Sequence, residues 1–173
     1  MNNSDADHHV RDVYAHFGLA LYLAQVLEHG LANALVFAQL LPQRAGRPIP
    51  RAQFVAEFDA FLGKQFEQTL GKLIGGLRKA TAVPPDLESL LRSALQQRNF
   101  LSHHFFRDRA QVFMSRSGRN QMIEELKRAQ QLFEAADSKL TEVATPLRER
   151  YGLSDERLQP FMEEYFANIE NDL

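Results

Sequence analysis

The chain has 173 residues, 45% of them hydrophobic, and a formal net charge of −2, enough for one substantial core and too little for two ordinary domains. It has no cysteine, which excludes disulfides, thiolate zinc sites and cysteine nucleophiles and points to a reducing, cytoplasmic setting. Thirteen Phe without Trp, among many Leu, Ala, Gln, Glu and Arg, favour an all-helical fold.

Residues 1–8 read as a flexible polar leader, with Asp5, Asp7 and His8 where a secretory signal would be basic and then apolar. Val10, Val13, Tyr14, Phe17, Leu21, Ala24, Leu31 and Leu35 recur mostly at three- and four-residue steps and predict a first helix over 9–41. Its most apolar stretch, Gly18 to Leu41, contains Gln25, Glu28, His29 and Asn33. An ionisable residue at a bilayer centre costs about 2.5 kcal/mol or more, so a buried helix and no membrane association are expected. Pro42, Gly46, Pro48 and Pro50 end it.

Phe54, Phe58, Phe61, Phe66, Leu70, Leu73 and Leu77 predict a second helix over 51–80. Pro84-Pro85 closes it, and Asp86 opens a third over 86–114, where its charge favours the helix dipole. After Ser117-Gly118, Met122, Leu126, Ala129, Phe133 and Leu140 predict a fourth over 118–144. Thr145-Pro146 reads as a cap followed by proline at a first helical position, and 154–170 as a final helix with Phe161, Met162, Tyr165, Phe166 and Ile169 on one side. The pattern implies a single domain, an up-and-down antiparallel four-helix bundle with an additional short C-terminal helix.

Charge is distributed unevenly. From Arg92 to Arg128 there are eight basic residues against three acids; from Glu134 to Leu173 there are ten acids against four bases. The basic third contains Arg98-Asn99-Phe100-Leu101-Ser102-His103-His104-Phe105-Phe106. On an ideal helix Arg98 falls within the apolar stripe of Leu87, Leu91, Ala94, Leu101 and Phe105. An arginine there requires an anion or a water-filled cleft, and Glu28, in the most apolar helix, is the candidate anion. His103 shares a face with Asn99 but points about 140° from Arg98 on a straight helix. Uniting Arg98 with His103 therefore needs a kink or a second copy from a twofold dimer.

An Arg, a polar residue after it, then a His four or five residues further on, late in the third helix of a bundle this size, resembles the HEPN superfamily (higher eukaryotes and prokaryotes nucleotide-binding domain). The resemblance implies a HEPN-like fold and a metal-independent endoribonuclease of the toxin or phage-defence kind, acting on RNA as a homodimer without a cofactor. By position, Arg98 would stabilise the pentacoordinate phosphate, Asn99 would orient it, and His103 or His104 would transfer protons at the ribose 2′-hydroxyl. A histidine titrating near 6.5 and a forked guanidinium suit those tasks. Glu28, Ser102 and Arg107 complete the expected binding set. One toxin group of the superfamily carries Tyr two residues after the His, modified by a partner nucleotidyltransferase; that position is Phe105 here.

Other classes lack their signatures. There is no Glu-x-x-His pairing for a di-iron bundle, no His-x-x-x-His, and no glycine-rich or Walker-type phosphate loop. The alternative is a non-catalytic HEPN-like helical dimer that binds nucleotide, RNA or a protein partner such as an antitoxin or regulator. It would use Arg98 as an anion anchor and the aromatic final helix as a docking surface.

Overall fold

The computed structural model describes residues 3–47, 49–160 and 163, with side-chain burial from residue 8 onward. It is all-helical, with no strand among the described residues. Helix α1 runs Asn3–Leu35, so helix is already present within the expected leader. A π-helical turn, Val36–Leu40, and a short α2, Leu41–Arg44, continue it. Pro42 has no N–H to give Ala38 and its ring crowds that carbonyl. The chain there widens instead: the Leu41 amide donates to the Val36 carbonyl. By length and composition His8–Arg44 could cross a membrane. In this fold it is the central helix, burying Val13, Ala20, Ala24, Leu27, Leu31 and Leu35.

The expected second helix is two: α3, Arg51–Phe66, and α4, Leu70–Ala80. Glu67-Gln68-Thr69 reverses the chain, with Thr69 extended before α4. The two halves differ in burial. Only Gln65 of α3 is buried, whereas α4 buries Leu70, Leu73, Ile74 and Leu77. The third helix, α5, spans Pro85–His103 rather than reaching residue 114. At His104 (φ −129, ψ −29) the path leaves the helix. The cause is aromatic packing: Phe105 is fully buried, stacks on Phe17 at 5.7 Å and meets Phe100 edge-on at 5.9 Å. Two single turns follow, α6 (Phe105–Asp108) and α7 (Ala110–Phe113).

Helix α8 spans Arg116–Glu149, longer at both ends than expected. Ser115 caps it by accepting the Gly118 amide at 3.0 Å. Pro146 lies inside α8, not at the start of a new helix, and Thr145 Oγ1 donates to the Thr141 carbonyl at 2.8 Å. Residues 155–160 are helical; the rest of the final helix expected over 154–170 lies outside the described residues apart from Glu163.

Cross-helix contacts fix the directions. Residues 9, 16 and 30 of α1 meet 119, 130 and 137 of α8 in ascending order, so α1 and α8 run parallel. Contacts of α1 with α5 and the turn after it descend (Phe17 with Phe105, Glu28 with Arg98), as do those of α5 and the turns after it with α8 (Asp86 with Lys139, Arg109 with Glu125). Alternation of direction is thus kept, but the reversal at 67–69 adds one helix, and first and last helices end up parallel rather than antiparallel. A single apolar cluster from α1, α4, α5 and α8 forms the core. Buried Gln130 of α8 fastens the α1–α8 seam by donating to the His16 carbonyl at 2.8 Å.

Candidate functional site

Arg98 leaves α5 toward α1, where its Nε lies 3.3 Å from Glu28 Oε1. The two side chains are 30% and 21% exposed, so the pair sits at the rim of the core rather than within it. Both stand in otherwise apolar stripes, which is why each requires the other. The contact is single and poorly aligned: Glu28 Oε1 is buried and accepts no hydrogen bond. Arg98 Nη1 is also 3.5 Å from Asn99 Oδ1, at the outer limit of a hydrogen bond.

Asn99, Ser102, His103 and His104 are all exposed on the far side of this pair. Helix α5 stays regular from Arg98 to His103, so His103 keeps the roughly 140° offset of an ideal helix. The break at His104 comes too late to bring it round. No hydrogen bond or ion pair joins Arg98 to His103 or His104 within one chain. The motif is therefore split: Arg98 with Glu28 on the α1 side, Asn99 and the histidines on the other.

The histidine half has its own wiring. Arg107 Nη2 lies 2.6 Å from His104 Nδ1. A guanidinium only donates, so Nδ1 accepts and the neutral ring carries its proton on Nε2. Arg107 Nε donates to Asp108 Oδ1 at 2.9 Å. The His103 ring sits 6.3 Å from that of His104, near-perpendicular, and makes no hydrogen bond among the described residues. Phe105 is inaccessible, so modification there is closed to a partner whatever residue it holds.

Two further arginines were not legible as parts of this region. Arg109 donates Nε and Nη2 to Glu125 at 2.9 and 2.8 Å and lies 5.3 Å from the centre of the Phe100 ring. The hydrogen bonds it donates to Glu125 hold its guanidinium above the ordinary arginine range. Buried Arg119 donates to the Phe113 carbonyl at 2.9 Å and to His9 Nδ1 at 3.2 Å, while His9 Nε2 meets Asn120 Oδ1 at 2.6 Å. These arginines lock α6, α7 and α8 under the motif. With partners 16 and 110 residues away, neither contact leaves a local sequence pattern.

Beside the motif, Tyr14 is 53% exposed yet touches Phe106 and Phe113, and Met114 is 81% exposed. No protein-family model, curated protein or solved structure matches the chain. Among the described residues no group of three His, Cys, Asp or Glu side chains is placed to hold a metal ion.

Proposed function

We propose that this protein is a cytoplasmic, metal-independent endoribonuclease of HEPN type, with a toxin or phage-defence role, and that it acts as a homodimer. In this reading α1, α4, α5 and α8 are the HEPN-like core. The observation that carries it is the split motif: Arg98 stands on one side of α5 against Glu28, and Asn99 with an unbonded, exposed His103 on the other. Arg98 and His103 of one chain do not meet, so the chemistry needs a second copy. The exposed Tyr14 and Met114 beside the motif supply apolar surface that such a copy would cover.

The reaction assigned to this site is transesterification. A neutral histidine takes the 2′-hydroxyl proton, the 2′ oxygen attacks phosphorus, and the 5′ oxygen leaves with a proton from a second, protonated histidine. Products are a 2′,3′-cyclic phosphate and a 5′-hydroxyl. Arg98 would leave Glu28 to neutralise the phosphorane, and Asn99 would donate its amide to a non-bridging oxygen.

The test is cleavage of total RNA and tRNA in excess EDTA by the wild type, Arg98→Ala and the His103→Ala/His104→Ala double variant, each first shown to be folded. Cleavage by the wild type alone, from a dimer in sedimentation, supports the reading; a wild type that cuts no RNA overturns it. A second reading, a non-catalytic HEPN-like dimer binding nucleotide, RNA, an antitoxin or a regulator, is favoured by one observation: Arg98 is already occupied by Glu28 and His104 by Arg107.

A further inference from the structure

A groove of about 570 Å³ lies where the π turn, α3 and α4 meet, on the opposite end of α1 from Tyr14. Lys64, Lys72 and Lys79 line it, with no Asp or Glu among its lining residues. The arginines around it are neutralised: Arg44 pairs with Glu57 at 2.6 Å and Arg78 with Glu88 at 2.6 Å. The three lysines are different. Each is exposed and has neither ion pair nor hydrogen bond among the described residues.

The groove's floor is uncharged and polar. Gln39, carried on the π turn, donates to the Gly76 carbonyl at 3.3 Å, and Gln68 donates to Gln65 Oε1 at 3.1 Å. Gly75 leaves the α4 backbone open, since a Cβ there would meet nothing within 4 Å. Amides offer both donors and acceptors without preferring one base.

Lys72 and Lys79 are seven residues apart on α4, hence within about 20° of one face and about 10.5 Å apart along the axis. With Lys64 arriving from α3, the cations form a row rather than a converging cluster. A row of point charges suits the repeated phosphates of a chain. The helices that form the groove also pack beside the motif. A Cβ on Gly71 would lie 3.5 Å from Leu95, one turn before Arg98, and Phe66 packs on His29 at 4.7 Å, next to Glu28.

We propose that this groove binds the phosphate backbone of single-stranded RNA and delivers it toward Arg98, an inference that rests on the ribonuclease reading. Binding is measured by fluorescence anisotropy of a short labelled oligouridine in EDTA, on Arg98→Ala protein so that cleavage does not enter the readout. Lys64→Gln/Lys72→Gln/Lys79→Gln is compared in the same background, with the charge-reversing single variant Lys72→Glu as a second probe. Each phosphate contact on a single strand contributes roughly 0.7 to the slope of log K against log salt, so the triple variant should lower that slope by about 2 and weaken binding about tenfold or more at low salt. Lys72→Glu should weaken binding as well.

An unchanged slope, no RNA binding by the protein with its lysines intact, or displacement of RNA by ATP at equal phosphate concentration would each overturn the groove assignment, the last making it a nucleotide site. The two readings fail separately. RNA bound through the lysines without cleavage by the otherwise wild-type chain supports the groove and sinks the ribonuclease; Arg98-dependent cleavage with a slope indifferent to the lysines does the reverse.

Discussion

The Arg98–Glu28 pair permits a quantitative prediction. At 3.3 Å, two unit charges attract by about 5 kcal/mol at an effective dielectric constant of about 20, before either is charged the cost of leaving water. Exposed pairs retain about 0.2–1 kcal/mol after that cost and side-chain ordering. Removing one partner of a fully buried pair loses about 3–5 kcal/mol. This pair lies between, with side chains 30% and 21% exposed and one misaligned contact in place of a fork. Glu28→Gln, which keeps the side-chain volume, should therefore cost about 1–1.5 kcal/mol, a fall of about 2–6 °C in Tm for a chain of this size. The assay is urea and thermal unfolding of wild type, Glu28→Gln, Arg98→Gln and the double variant, closed into a cycle that isolates the pair. A coupling of about 1 kcal/mol is expected. A coupling indistinguishable from zero would show that the two charges are solvated independently, and the argument that each requires the other in its apolar stripe would fail.

Gly118 is placed so that a Cβ would lie 1.9 Å from the Val112 carbonyl oxygen, backbone that cannot rotate away; Gly118→Ala should lower stability by about 3 kcal/mol or more, seen as a Tm drop of about 6 °C or more. A drop under about 2 °C would mean that the α7–α8 turn yields freely. Burial pushes the Asp137 carboxyl above its ordinary value of 3.8, so the unfolded chain releases this proton at lower pH than the folded one, and the site's contribution to stability is present below 3.8 and lost as pH rises through the raised value. Asp137→Asn should accordingly raise Tm at pH 7 and leave it unchanged at pH 3, whereas a variant less stable at pH 7 would show that the carboxylate is satisfied.

Much of the fold was legible because long helices advertise themselves by period, and α1, α5 and α8 follow their apolar spacing closely. The reversal at 67–69 was hidden, since Phe66, Leu70, Leu73 and Leu77 keep a helical spacing straight across it. What separates them is tertiary: Phe66 is 49% exposed while Leu70, Leu73 and Leu77 are in the core. Pro146 misled in the opposite sense. Proline is compatible with a first turn and costly in a helix interior, and α8 accepts that cost because Ala136, Leu140 and the partly buried Val143 and Ala144 remain anchored on either side of the preceding turn. The end of α5 at His103 came from Phe105 and Phe106, whose stacking with Phe17 and Tyr14 outweighs one more helical turn.

At the site, the same logic divides what was readable from what was not. A charge inside an apolar stripe demands a counter-charge, and only Glu28 lay in a comparable stripe, so that pair could be inferred across 70 residues of sequence. The division of labour between the two histidines needed the structure. With Arg107 donating to Nδ1, neutral His104 has only an Nε2 proton to offer, and it must shed Arg107 before it can accept one. Protonating it in place would set an imidazolium N–H against a guanidinium. His103 carries no such constraint: it is exposed and makes no hydrogen bond among the described residues. In the ribonuclease proposed above, proton abstraction therefore falls to His103, and the part of His104 is to hold Arg107 in place.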